Sequence, residues 1–139
     1  MKIITALLIT ALVSSSLCLS AQTKKLMTGK TCSIYLKVEG ASRPGMPWTD
    51  DEITFEGGKL ISKVMGKKEG FPPFDCSFSV DSSSGKKKIL FTASGHNNGV
   101  SEIQWEGTIN GNKIAGRAVW TNINGPQTQI FSGTVKKAK

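Results

Sequence analysis

The sequence predicts an all-β fold, a single antiparallel up-and-down β-barrel of about eight strands. Helical periodicity is nearly absent after the first twenty or so residues. Short runs of alternating apolar and polar residues recur instead at intervals of roughly 8 to 15 residues, with glycine-rich turns between them. With 139 residues in all, the chain has room for one hydrophobic core and one domain.

Residues 1–21 have the layout of a secretory signal peptide. A basic start precedes the apolar run Ile3–Val13, and Ser14–Ala21 is rich in small residues. The apolar run is shorter than the roughly 18 to 20 residues that a membrane-spanning helix needs. We therefore expect cleavage after Ser20 or Ala21, a periplasmic or secreted protein with no membrane span, and one domain over residues 22–139.

Eight candidate strands follow in order from the alternation of apolar and polar residues. Eight is also the number of strands at which a small barrel closes around its own side chains. The predicted strands are Thr31–Val38, Glu52–Glu56, Lys59–Met65, Asp75–Asp81, Lys86–Ser94, Ser101–Ile109, Asn112–Thr121 and Gln127–Val135.

The Asn110–Gly111 pair predicts a type I′ hairpin between the sixth and seventh strands. With these two residues as the loop, Ile109 faces Asn112 and Trp105 faces Gly116, so that the glycine leaves room for the indole. The pattern therefore predicts a strongly curved sheet at this hairpin.

Connection lengths predict that the two ends of the barrel differ. The second, fourth and sixth connections are short: Gly57–Gly58, which sets Phe55 against Leu60, Ser82–Gly85 and Asn110–Gly111. The first, third, fifth and seventh are longer: Glu39–Asp51, Gly66–Phe74, Gly95–Val100 and Asn122–Pro126. Because loops held by a scaffold often carry binding residues, we expect a ligand site at the end with the longer loops.

Two segments, Ile53–Ser62 and Ile103–Gly116, resemble parts of small exported bacterial proteins with a calycin-like fold. The resemblance covers residues 52–135 and implies a lipocalin- or avidin-like barrel. Members of this fold often hold a small apolar ligand, so the resemblance implies a binding module. Its motifs are packing motifs, which specify a fold better than a function.

Four aromatic residues are expected at the end with the longer loops. Trp48 stands in the longest loop, Phe71 and Phe74 in another, and Trp120 approaches the same rim from the seventh strand. These side chains either contact a ligand or plug the end of the barrel, and the sequence leaves both interpretations open.

His96, the only histidine, and Asn98 lie in the fifth connection. Their Asn and Gly neighbours indicate a turn, and the alternative is a polar contact with a ligand at the mouth. No partner for acid–base or metal chemistry stands near His96, and Asp50, Asp51 and Glu52 are adjacent carboxylates that rarely converge on one ion. We therefore predict no enzyme activity, no metal and no cofactor.

Cys32 and Cys76 are the two thiols that remain after signal cleavage. An even count in an oxidising compartment favours a disulfide. Strand order argues against it, because Cys32 is expected at the end with short loops and Cys76 at the other. A bridge and two buried free thiols both remain open.

The chain is basic, with a formal net charge of +8, or +7 once Lys2 is removed with the signal peptide. Our first functional hypothesis is an exported module that holds a small apolar or amphipathic molecule at the open barrel end. The alternative is an envelope interaction protein with a filled barrel, whose basic surface contacts acidic polysaccharide or lipid phosphate. We do not expect nucleic acid as a partner, because no lysine cluster contains a stacking aromatic residue.

Overall fold

The computed structural model describes residues 21–39 and 49–136. Trp48, which the sequence places at the ligand site, lies outside these residues, as does most of the predicted signal peptide. The described residues contain eight strands: β1 Thr31–Val38, β2 Thr49–Glu56, β3 Lys59–Ser62, β4 Phe74–Asp81, β5 Lys88–Asn97, β6 Ser101–Asn110, β7 Lys113–Asn122 and β8 Gly125–Val135.

The strands form a closed barrel in which each pairs antiparallel with its neighbours in sequence. β1 also pairs with β8, from Cys32 opposite Val135 to Val38 opposite Gln129. Closure satisfies the backbone groups that an edge strand would leave unpaired. The prediction of an all-β, eight-stranded up-and-down barrel is confirmed, and the architecture agrees with a calycin-like fold.

Two short helices sit at opposite ends of this barrel. Residues 21–27 are helical and form α1, while Lys63–Glu69 forms α2 between β3 and β4. We call the "α1 end" the end that carries α1 and the turns β2–β3, β4–β5 and β6–β7. The "α2 end" carries α2 and the turns β5–β6 and β7–β8.

The predicted third strand, Lys59–Met65, is wrong beyond Ser62, where α2 begins. Ser62 has an extended backbone (φ −96°, ψ 124°), and its hydroxyl accepts a hydrogen bond from the Met65 N–H. Gly70 ends the helix with φ +68°, a left-handed conformation that glycine adopts without strain. These caps satisfy backbone groups that the helix ends leave free, and they override the short alternation on which the strand prediction rested.

The predicted β6–β7 register is wrong by two residues. The turn residues are Gly111 and Asn112, so Asn110 faces Lys113, and Trp105 faces Ala118 rather than Gly116. Gly111 has φ +63°, and a positive φ at the first turn position is typical of a type II′ hairpin. In contrast, the Gly57–Gly58 hairpin is confirmed, with Phe55 facing Leu60.

The predicted contrast in connection lengths is only partly correct. The fifth connection is Asn98–Val100 and the seventh is Ile123–Asn124, both shorter than the fourth, Ser82–Lys87. Strand pairing continues through exposed polar residues such as His96, opposite Glu102. Because the ladder extends beyond the last buried side chain, apolar alternation underestimates the length of these strands.

Aromatic side chains fill the barrel interior in one continuous series. Each neighbouring pair has ring centroids between 5.2 and 6.4 Å apart. The series runs Phe78, Phe55, Phe91, Phe131, Trp105, Phe74, Phe71 and Trp120, and includes all six phenylalanines of the chain. The interior is therefore a packed core, as in the smallest barrels.

Candidate functional site

A cleft of about 340 Å³ lies at the α2 end, between α2 and the barrel rim. Its size falls in the lower range of small-molecule sites, roughly 300 to 1,000 Å³. The lining residues come from β1, β2, α2, β7 and β8: Leu36, Lys37, Val38, Thr49, Val64, Met65, Lys68, Glu69, Trp120 and Gln129.

Asp51 of β2 fixes α2 above the barrel. Although its side chain is buried, it accepts hydrogen bonds from the Ser62 hydroxyl at 2.5 Å and from the Val64 N–H at 2.9 Å. A third comes from the Glu52 N–H at 2.7 Å. A buried carboxylate is costly unless it is hydrogen-bonded in this way, so Asp51 serves the helix N-terminus rather than a metal ion.

Met65 and Val64 form the helix side of the cleft. Met65 is buried in the hydrophobic core, and Val64 beside it is half-buried. Leu36 on β1 faces inward and contributes an apolar side chain from the barrel wall. Both the α2 side and the β1 side of the cleft therefore contribute apolar side chains.

Charged groups stand around this apolar lining. Lys37 and Lys68 are two cationic side chains of the cleft, and Glu69 adds one carboxylate. The arrangement suits a molecule with an apolar body and a polar end, since charged side chains prefer to stay at the solvent side.

Of the predicted ligand residues within residues 21–39 and 49–136, Trp120 is the one that lines the cleft. It is half-buried, packs against Phe71 at 6.4 Å between ring centroids, and ends the aromatic series. Its Nε1 atom is buried and has no hydrogen-bond partner in the part of the chain that the structure describes. Buried indole N–H groups usually have such a partner.

Phe71 and Phe74 lie in the core rather than on the cleft. Their exposed fractions are 5% and 1%, and the two rings stack with centroids 5.5 Å apart. Phe74 also contacts Trp105 edge-on. Of the two interpretations of these residues, the structure gives them the packing role at the barrel end.

His96 and Asn98 are exposed at the β5–β6 turn. His96 Nε2 lies 3.9 Å from a Glu102 carboxylate oxygen, and Asn98 has φ +46°, a turn conformation that Asn tolerates. Their neighbour Asn97 holds the turn against α2, because its amide donates to the Glu69 carbonyl oxygen at 2.8 Å. None of the three lines the cleft.

Cys32 and Cys76 are both free thiols. Contrary to the expectation for Cys76, it lies near the α1 end, because its N–H donates to the carbonyl oxygen of Gly58. β3 is so short that it pairs with β4 only at Lys59 and Leu60. From Cys76 onward β4 therefore extends beyond the β2–β3 turn, which lies at the α1 end. Burial raises the pKa of Cys32 to about 11 and that of Cys76 to about 12, so both thiols are protonated and unreactive at neutral pH.

Within residues 21–39 and 49–136, no three His, Cys, Asp or Glu side chains are grouped so that they could hold a metal ion. In the same residues no helix has both the length and the apolar character required to cross a membrane.

Comparison with known proteins yields no relative: no protein-family model, no curated protein and no solved structure matches this chain. The fold and the cleft geometry are therefore the basis for a functional assignment.

Sequence reasoning missed α2 and, with it, the helix side of the cleft. The signal was present, because Ser62 and Gly70 bracket a segment with Lys67 and Lys68 in its last turn, as in many short helices. For Leu36 and Val38 the alternation predicts only that they belong to the first strand. Their place in a cleft depends on where α2 crosses the rim, which no local pattern specifies.

Proposed function

We propose that this chain is an exported binding module that holds a small, partly apolar molecule in the α2 cleft. The observation that carries the proposal is the apolar cleft beneath a helix that Asp51 and the Ser62 cap fix in place. The N-terminal pattern of residues 1–21 supports export. The ligand lies outside the barrel interior, because aromatic rings already occupy that space.

The chemistry of the cleft supports a ligand with one polar end. Apolar contacts with Val64, Met65 and Leu36 would supply affinity, since burial of apolar surface contributes about 25 cal/mol per Å². Lys37 and Lys68 favour a polar end that is anionic rather than cationic. The accessible part of the Trp120 ring adds apolar contact area to the cleft.

A substitution that fills the cleft tests the proposal. Val64→Trp places a large side chain in the cleft, whereas Val100→Trp adds the same fluorophore at a residue that is 70% exposed in the β5–β6 turn. The probe is 1-anilinonaphthalene-8-sulfonate, an apolar anion, followed by its own fluorescence and by native mass spectrometry. We expect Val64→Trp to weaken binding by roughly tenfold or more, because overfilled apolar sites exclude ligands, and Val100→Trp to bind as the unmodified protein does.

Equal affinity of the two variants would place the probe elsewhere on the molecule and contradict the proposal. So would the absence of any bound mass, both with this probe and in protein freshly purified from its source.

A further inference from the structure

A second groove, of about 470 Å³, lies at the α1 end, far along the barrel from the α2 cleft. Its apolar lining comes from α1, β4, β5 and β6: Leu26, Val80, Ile89 and Ile109. Leu26 is 62% exposed and Val80 is 36% exposed. Leu26 therefore belongs to an exposed apolar groove rather than standing alone on the surface, and contiguous apolar surface rimmed by polar residues is a feature of interaction sites.

Helix α1 presents this leucine because its other face is used for packing. Thr23 and Met27, four residues apart, are both buried and fasten α1 to the barrel. Gln22 and Leu26, again four residues apart, line the groove. The connection after α1 is held by two backbone hydrogen bonds to Phe55, so Leu26 is presented from a fixed helix.

The α1 end is strongly basic. Helix α1, its connection to β1 and the three turns of this end contain five lysines and no acidic residue: Lys24, Lys25, Lys30, Lys86 and Lys87. The described connections of the α2 end contain three lysines, Lys63, Lys67 and Lys68, against Glu39 and Glu69. The lysine excess is therefore concentrated where the exposed leucine lies.

We propose that the α1 end docks on an anionic phospholipid surface. Leu26 enters the boundary between head groups and acyl chains, and the groove behind it shelters apolar lipid atoms. Lys24, Lys25, Lys86 and Lys87 are exposed around this point and contact lipid phosphates. Basic residues that surround an exposed apolar side chain are the arrangement found in proteins that lie on anionic membranes. This docking does not depend on the α2 cleft.

Matched lysine pairs at the two ends test the electrostatic part. The purified protein, its N-terminus read by intact mass, is mixed with vesicles of phosphatidylglycerol and phosphatidylcholine, and the bound fraction is measured by sedimentation. We expect Lys86→Gln with Lys87→Gln to lower the partition coefficient roughly tenfold or more, because each lysine near such a surface contributes about fivefold. Lys63→Gln with Lys67→Gln removes the same charge at the α2 end, outside the cleft lining, and should change the partition coefficient less than about threefold. Equal losses for the two pairs would overturn the proposal, because they would indicate unspecific attraction.

Matched apolar substitutions test the insertion of Leu26. Leu26→Ser should weaken vesicle binding, whereas Ile123→Ser, at a 92% exposed residue of the α2 end, should not. Both side chains are exposed, so neither change should prevent folding, which circular dichroism verifies. An unchanged affinity for Leu26→Ser overturns the proposal.

Two further measurements distinguish other occupants of the groove. The protein could bind dextran sulfate but not vesicles, and lose that binding when Lys86 and Lys87 are replaced. This result would assign the surface to an acidic polymer and overturn the proposal. A dimer in light scattering that Leu26→Ser dissociates would assign the groove to a second copy of the chain, with the same consequence. The proposal is supported if the protein is a monomer in solution that binds phosphatidylglycerol vesicles and does not bind phosphatidylcholine vesicles.

Discussion

At the residue scale, individual buried side chains decide what the barrel can and cannot do. The Phe91 ring occupies the space beside Gly107, and the Phe131 ring occupies the space beside Gly116. A Cβ atom at either glycine would lie within 3 Å of the neighbouring ring. Gly133 lies so close to the backbone of Ser33 that any side chain there would collide with it. The aromatic rings and the strand backbones are therefore closely packed around these glycines.

The two thiols predict a loss of stability at alkaline pH. Burial raises the pKa of Cys32 to about 11 and of Cys76 to about 12, from 9.0. Below pH 9 both thiols are protonated in the folded and the unfolded chain. As the pH rises through 9 toward 11, the thiols ionise more readily in the unfolded chain, which is thereby favoured.

We therefore expect the free energy of unfolding in urea to fall between pH 8 and pH 10, by on the order of 1 kcal/mol for each thiol. A variant with Cys32→Ala and Cys76→Ala should lose less over the same interval. If the pH dependence of the two proteins were identical, the thiols would not be the cause.

At the element scale, the main structural departure from a plain barrel is α2. The strand before it is short, and the helix then closes one side of the cleft. Asp51 joins the two elements, because it binds the Ser62 side chain and the Val64 backbone at the same time. The cleft therefore depends on one buried carboxylate as much as on its apolar lining.

Asp51→Ala should destabilise the protein by about 1–3 kcal/mol, because it leaves buried donors of Ser62 and Val64 without an acceptor. Asp50→Ala, at the exposed neighbouring position, serves as the control and should stay within about 0.5 kcal/mol. Urea unfolding gives both values, and hydrogen exchange at the Met65 amide should become faster only in the first variant. A loss in Asp51→Ala no greater than in Asp50→Ala would show that this carboxylate does not hold α2.

At the scale of the whole molecule, one core and a closed sheet connect all eight strands. Every strand pairs with two others, and the aromatic series crosses the interior from Phe78 to Trp120. Removal of any strand would break the closed sheet and expose the shared core to solvent. The two ends nevertheless differ in chemistry, since lysines without acidic partners in the turns surround the groove of the α1 end, whereas the described connections of the α2 end carry both lysines and glutamates.

We expect a single cooperative unfolding transition as a consequence of this shared core. Tryptophan fluorescence reports on the three tryptophans of the chain, among them Trp105 in the core and Trp120 at its edge, and far-ultraviolet circular dichroism reports on the strands. The two probes should give coincident urea midpoints. Separate midpoints would mean that one part of the barrel opens independently of the rest.

Much of the fold follows from local patterns, whereas much of the candidate site does not. Alternation predicts the strand count, and the Gly57–Gly58 pair predicts its hairpin correctly. The Asn110–Gly111 pair predicts the β6–β7 hairpin but the wrong two turn residues, because a shift of the turn by one residue along the chain keeps the same faces inward. The alternation extends the third strand over Val64 and Met65, because this short segment fits both a strand and a capped helix. In the folded chain Asp51 binds Ser62 and the Val64 N–H and stabilises the helix.

The sequence by itself determined the fold class, the number of strands and the basic character of the chain, because alternation and composition are local properties. The tertiary structure decided which aromatic residues are core and which border a cleft, since the sequence predicts only that Phe71, Phe74 and Trp120 lie at the same end of the barrel. It also decided that the lysine excess lies at the α1 end beside Leu26. Both outcomes depend on how closure of the barrel brings distant segments together, and no single segment encodes that closure.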